Sequence, residues 1–341
     1  FVLFSYYLNG IDLPTVLAAL VMAGAWSCLL ICVAVAAATQ AQSRIGRALV
    51  HFVVLGLLLG GTIAGIAFSA FFAEEGGRLL SEQAGFRAFC LGHVVWSLTT
   101  AWVASEGAAS GLSLLSENSA KGPRLALGIQ VTLALAIAAV TAAIIDHGDK
   151  VGPTVGAAAS ALYLCIAGLF AVSEHDGFPP AFARTTALFK PGALRSFVMI
   201  ILLLALSTAA WLAMYEAMGG SEKKLLRVIV TAPLFVVLYL SLGVLLGRLS
   251  PLKASGEPIA TRAGFAVAVA LGIAVPMFLS VLTGHSANYK ELNVLNPIIG
   301  LASINSGSRG ERVMILAGAC ALLFGFLALT TLSARDVERR S

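Results

Sequence analysis

The chain has 341 residues, of which 59% are hydrophobic and only 11% charged, with a formal net charge of +5. A soluble domain carries about 25% charged residues, so this composition excludes an ordinary water-soluble globular protein. The basic residues are scattered among short segments with no basic face or stripe, which excludes a nucleic-acid-binding surface.

The first eight residues, Phe1 to Leu8, look like the last turns of a helix closed by Asn9-Gly10, so we expect a further piece of chain upstream. Nine apolar stretches follow, at 14–39, 49–73, 86–114, 124–145, 154–172, 194–218, 226–247, 263–283 and 311–332. Crossing a hydrocarbon core about 30 Å thick takes roughly 20 apolar residues of helix. In lipid every backbone N–H and C=O must be bonded within the segment, so each stretch predicts a transmembrane helix. A membrane barrel would instead alternate apolar and polar residues over about ten positions. The fold class is therefore all-α: a polytopic transmembrane helix bundle of about nine spans, forming one transmembrane domain over 1–341.

Pro14, Pro123 and Pro153 stand at or beside first-turn positions, where a missing N–H costs nothing. Pro276 lies inside the eighth stretch and predicts a kink or a break. One set of span ends holds thirteen Lys and Arg residues and the other nine, which places the first set, and the C-terminus, in the cytoplasm. Residues 173–193 and 248–262 are then cytoplasmic and 284–310 external. Within the external loop, Leu292, Leu295 and Ile299 beside Asn296-Pro297 suggest a short interfacial or re-entrant helix. The expected location is the plasma (inner) membrane.

Few residues carry chemistry. Cys28, Cys32, Cys90, Cys165 and Cys320 all fall inside predicted spans and read as small apolar packing residues. Cys28 and Cys32 lie one turn apart, but no second ligand pair accompanies them. No phosphate-binding loop, zincin motif or nucleophile elbow occurs, and the five histidines are dispersed. No cofactor is expected. Glu106 is the one acid well inside a span, and His93 precedes it by 13 residues on the same helix, about 20 Å away. An ionisable group in a membrane is expensive and commonly functional, so Glu106, with His93, is a candidate for a substrate pathway. The alternative is a carboxyl satisfied by neighbouring Ser and Thr, or one close to the interface. In the loop 173–193, Phe178 and Phe182 beside Arg184 form a candidate contact surface for a partner. An ordinary interfacial loop, with Phe in the headgroups and cations on anionic membrane lipid, explains the same residues.

Several segments resemble type-two ABC transporter permeases, the membrane subunits of ABC exporters. They are Asn9 to Pro14 with the small-residue span after it, the basic turn Thr39 to Ala48, the helix end at 105–128, and Leu295-Asn296-Pro297 before the last span. That resemblance implies alternating access powered by a separate ATP-binding subunit, with a second permease chain completing the path and no ATPase chemistry on this chain. It also implies that the family's coupling helix lies in the piece expected upstream. The alternatives are an ion-coupled secondary transporter using Glu106, or an integral membrane scaffold that transports nothing.

Overall fold

The computed structural model describes residues 13–40, 84–112, 120–144, 151–172, 192–249, 257–282, 296 and 307–338. Among these the protein is all-α, with eight helices long and apolar enough to cross a membrane. The second expected span, 49–73, lies outside the described residues. The other eight expectations each meet a helix. These are α1 (Leu13–Gln40), α2 (Ala84–Leu112), α3 (Lys121–Ile144) and α4 (Val151–Val172). After them come α5 (Ala193–Ala217), α6 (Lys223–Leu249), α7 (Glu257–Leu282) and α8 (Gly307–Glu338).

Sequence signals account for the helix ends. Pro14, Pro123 and Pro153 all fall in first turns, as their φ angle and missing N–H favour. The α5–α6 turn is a Schellman motif. Gly219 adopts φ 71°, its N–H bonds the Glu216 carbonyl at 2.9 Å, and the Gly220 N–H bonds the Tyr215 carbonyl at 2.9 Å. The Tyr215 hydroxyl then donates to the carbonyl of Glu222 at 2.9 Å, which pins the start of α6 to the end of α5. The helix continues through Pro276 in α7 without a break. A second interior proline, Pro233, lies in α6.

The chain divides into two compact units, 1–146 and 147–341. In the first, α2 packs on both α1 and α3. Met22 and Cys90 share a cluster with Phe86, and Trp26 stacks on His93 one turn further along both helices, so α1 and α2 run in the same direction. Gly92 lies against Ile137 near one end of the α2–α3 pair and Glu106 against Gly122 near the other, so α3 runs opposite to α2.

In the second unit α6 is the central helix. It packs on α4, α5, α7 and α8, and 61% of its span is buried, against 17–33% for the other seven. Arg227 meets Glu311, Leu234 lies against Gly318 and Ser241 against Gly325, a constant offset of 84 residues in heptad steps. Helices α6 and α8 are thus parallel, with the repeating contact of a coiled-coil seam. Ala157 clusters with Ile229 and Gly168 lies against Leu240, so α4 also runs parallel to α6. Helix α7 is antiparallel to it, since Gly243 faces Phe265 while Tyr239 faces Gly272. This alternation is the one that successive crossings demand.

The α6–α7 contact is made backbone to backbone. A Cβ placed on Gly264 would lie 2.6 Å from the Gly247 nitrogen and 2.7 Å from the Gly243 oxygen. In lipid, where apolar side chains gain little by leaving one apolar medium for another, close approach of small residues holds helices together. The outward faces remain apolar: Ile315, Leu322 and Phe326 on α8, and Leu162 and Ile166 on α4, are more than half exposed. Such surfaces suit hydrocarbon and not water.

Candidate functional site

Polar side chains lie inside the apolar helices of both units. In the first unit, Gln130 of α3 is fully buried and donates from Nε2 to Thr100 Oγ1 of α2 at 2.6 Å. The Thr100 hydroxyl in turn donates to the Trp96 carbonyl at 2.7 Å. This relay of donors sits near the middle of both spans and links the two helices across lipid-facing surroundings. Ser97, one turn from Thr100, is also fully buried, and its hydroxyl has no partner among the described residues. A buried hydroxyl left unmade costs about 1–3 kcal/mol.

Glu106 lies on the same helix, one turn before the end of the apolar segment Phe86–Ser110. Its carboxylate accepts from Trp102 Nε1 at 3.2 Å, one turn back. The other oxygen rests on Gly122, so closely that a Cβ at position 122 would overlap it. Gly122 is the second residue of α3, so the acid sits against the N-terminus of that helix. Lys121 and the buried Arg124 belong to the same first turn. Glycine at 122 is what leaves the carboxylate room. The acid thus packs the end of α2 closely on the start of α3.

His93 has a different setting. Its ring stacks on Trp26 of α1, with centroids 6.0 Å apart, and lies 6.1 Å from the ring of Phe89. The two sequence candidates therefore remain on opposite sides of the middle of α2, about 20 Å apart along its axis. His93 faces α1 and Glu106 faces α3, and the fold does not bring them together.

In the second unit a crevice lies between α4, α5 and α6. Ala157, Ala161, Leu204, Ser207, Trp211 and Pro233 line it, and it is too tight to admit water. The outer edge of the Trp211 indole packs on Gly156, and its Nε1 donates to Ser160 Oγ at 3.1 Å, tying α5 to α4. The Thr208 hydroxyl is spent on the Leu204 carbonyl at 2.7 Å. Thr154 and Thr231 are buried nearby in sequence, and their hydroxyls have no partner among the described residues. Pro233 offers no N–H to the carbonyl of Ile229, itself fully buried.

Charged contacts between the described helices of this unit lie near helix ends. Arg227 Nη2 pairs with Glu311 at the starts of α6 and α8. At the opposite end Arg262 of α7 stands 4.8 Å above the ring of Phe170 of α4.

Phe178, Phe182 and Arg184 lie outside the described residues, as does most of the loop 284–310, in which only Asn296 is described, fully buried. Among the described residues no cluster of three or more His, Cys, Asp or Glu side chains forms, so Cys28 and Cys32 gain no further ligands there. Sequence reasoning passed over Gln130, Thr100 and Pro233. Each had a signal: an amide and a hydroxyl inside apolar runs, and a proline as interior to its span as Pro276. With these contacts in view, no family model, no curated protein and no solved structure matches the chain.

Proposed function

We propose that this chain is the membrane-embedded subunit of a transporter, a permease of the ABC exporter type, moved by a separate ATP-hydrolysing subunit. The segments that resemble that family support the permease type. One observation bears on the driving force: Glu106 and His93 are each engaged in packing a different pair of helices, on opposite sides of the middle of α2. A proton-driven carrier needs titratable groups placed to pass or share a proton. A carboxylate packed against a helix start and an imidazole packed against Trp26 and Phe89 about 20 Å away make no such relay. That favours a protein whose work is supplied from outside over an ion-coupled carrier.

The second unit provides what such work would act on. Its central helix bears an interior proline beside a closed crevice, with contacts at both ends of the bundle. ATP binding by the partner would bias a two-state equilibrium between arrangements of these helices, and a second permease chain would complete the path. Affinity purification from native membranes in a mild detergent tests the reading. A subunit with a phosphate-binding loop, recovered in stoichiometric amount with vanadate-sensitive ATP hydrolysis, is expected. The chain recovered intact without any ATP-hydrolysing subunit would overturn it.

A further inference from the structure

We propose that the second unit holds one anionic phospholipid where the end of α4 meets the start of α7. Its phosphate sits on Arg262, and an acyl chain runs down Phe170, Ile166 and Leu162 of α4. Such a site is independent of the transporter reading above.

The levels of the helices bring these parts together. Gly243 faces Phe265 and Gly247 faces Thr261 and Gly264, so the last turn of α6 lies level with the first turns of α7. Gly168 meets Leu240, so α4 finishes at the same end. Arg262 is the third residue of the apolar segment Ala260–Leu279, which puts its guanidinium at the border between hydrocarbon and headgroups. It stands 4.8 Å above the Phe170 ring and so reaches from α7 across to α4. A guanidinium resting its face on a ring still directs its N–H groups outward along its edges. Five donors in a planar fork suit a phosphate even when some of them are used within the protein.

Below the ring, toward the middle of the bundle, lies a lane for an acyl chain. Phe170, Ile166 and Leu162 recur at every fourth residue and form one ridge on α4, and each is at least half exposed. Leu164 and Gly168, on the opposite side of that helix, face the bundle instead. A cation at the head of an apolar ridge complements an anionic headgroup above its chain. The charge balance of the unit points the same way. Among the residues with described side chains, its acids, Glu216, Glu222 and Glu311, all belong to the other end. The Lys and Arg distribution assigns the Arg262 end to the cytoplasm, where the leaflet is anionic.

Arg248 supplies the control. It lies in the last turn of α6, at the same end, but one heptad beyond Ser241. It therefore continues the ridge that faces α8, away from α4 and α7.

The test is lipid binding to the full chain in a non-ionic detergent, read by native mass spectrometry with phosphatidylglycerol and phosphatidylcholine of identical acyl chains. Phosphatidylglycerol should bind more tightly. Arg262→Gln should weaken it about fivefold, the contribution of one cation at a membrane surface, and leave phosphatidylcholine unchanged. Arg248→Gln removes the same charge from the same end and should change neither. In the unaltered chain, phosphatidylglycerol with a photoreactive acyl chain should label Ile166 or Leu162 severalfold more than its phosphatidylcholine counterpart, a readout that no folding defect touches. Equal binding or equal labelling by the two lipids overturns the site. Equal losses in the two arginine variants would replace it with a diffuse positive end, the arrangement an acidic protein face would use. Displacement of phosphatidylglycerol by inorganic phosphate would make it a site for a soluble anion and overturn the lipid.

Discussion

Helix α2 of the first unit and helix α6 of the second each hold their unit together, but by opposite means. Helix α2 is 17% buried along its span and joins its neighbours through polar and aromatic side chains: Thr100 to Gln130, Glu106 to the start of α3, His93 to Trp26. Helix α6 is 61% buried and joins its neighbours through glycines and a heptad seam, with the Arg227–Glu311 pair at its very end. The first arrangement concentrates adhesion in a few directional bonds. The second spreads it over many close contacts, each small alone. Loss of one side chain should therefore be felt differently in the two units, and insertion of one should hurt the second most.

The largest effect is expected from Gly264→Leu. Its added carbons meet the backbone of Gly243 and Gly247, which no rotamer change relieves. Overpacking of this kind costs about 1–3 kcal/mol, and here the upper end applies. Thermal unfolding in detergent should shift down clearly, while Gly318→Ala, whose Cβ would meet Leu234 at an ordinary 3.6 Å, should leave the transition nearly in place. Equal tolerance of both would break the contrast between the backbone-to-backbone α6–α7 contact and the looser side-chain seam of α6 with α8.

Gln130→Leu comes next. Interhelical hydrogen bonds in membranes average about 0.6 kcal/mol and reach about 1.7. Thr100 keeps its bond to the Trp96 carbonyl after the substitution, so no buried donor is stranded. A loss of about 1 kcal/mol in unfolding free energy is expected. The further loss should be correspondingly smaller in the double variant that also carries Thr100→Val. Strict additivity of the two changes would deny that they are partners.

Glu106→Gln should have a smaller effect still. A carboxylate at a helix N-terminus contributes about 0.3–1 kcal/mol, and the amide retains the contact with Trp102 and Gly122. If the proposed ATP-driven complex is right, its ATP hydrolysis should survive this change and transport should fall partially at most. Complete loss of transport with ATP turnover intact would instead give Glu106 an ion-coupling role.

The sequence made the membrane helices plain because hydropathy in lipid is a property of each segment alone. Eight of the nine expected stretches coincide with helices to within a few residues, and the prolines at 14, 123 and 153 mark their first turns. Partners were harder to see, since they depend on which helix lies beside which. Gly264 is one of 34 glycines, and nothing local tells it apart until Gly243 and Gly247 face it. Glu106 drew attention by its charge, yet its setting was set by Gly122, a residue 16 positions on with no side chain. Pro233 was as visible as Pro276, but only its place in the most buried helix gives it weight.

The proposed transporter stands or falls on whether ATP bound by a partner, and not an ion gradient, moves the second unit. Labelling of Ser207→Cys with a water-soluble methanethiosulfonate reagent in native membrane vesicles, where the proposed ATP-hydrolysing partner would be present, separates the two. Trapping with ATP and vanadate is predicted to change the labelling rate severalfold, and collapse of the proton gradient with a protonophore to leave it unchanged. A rate that responds to the gradient and ignores ATP and vanadate would contradict an ATP-driven cycle.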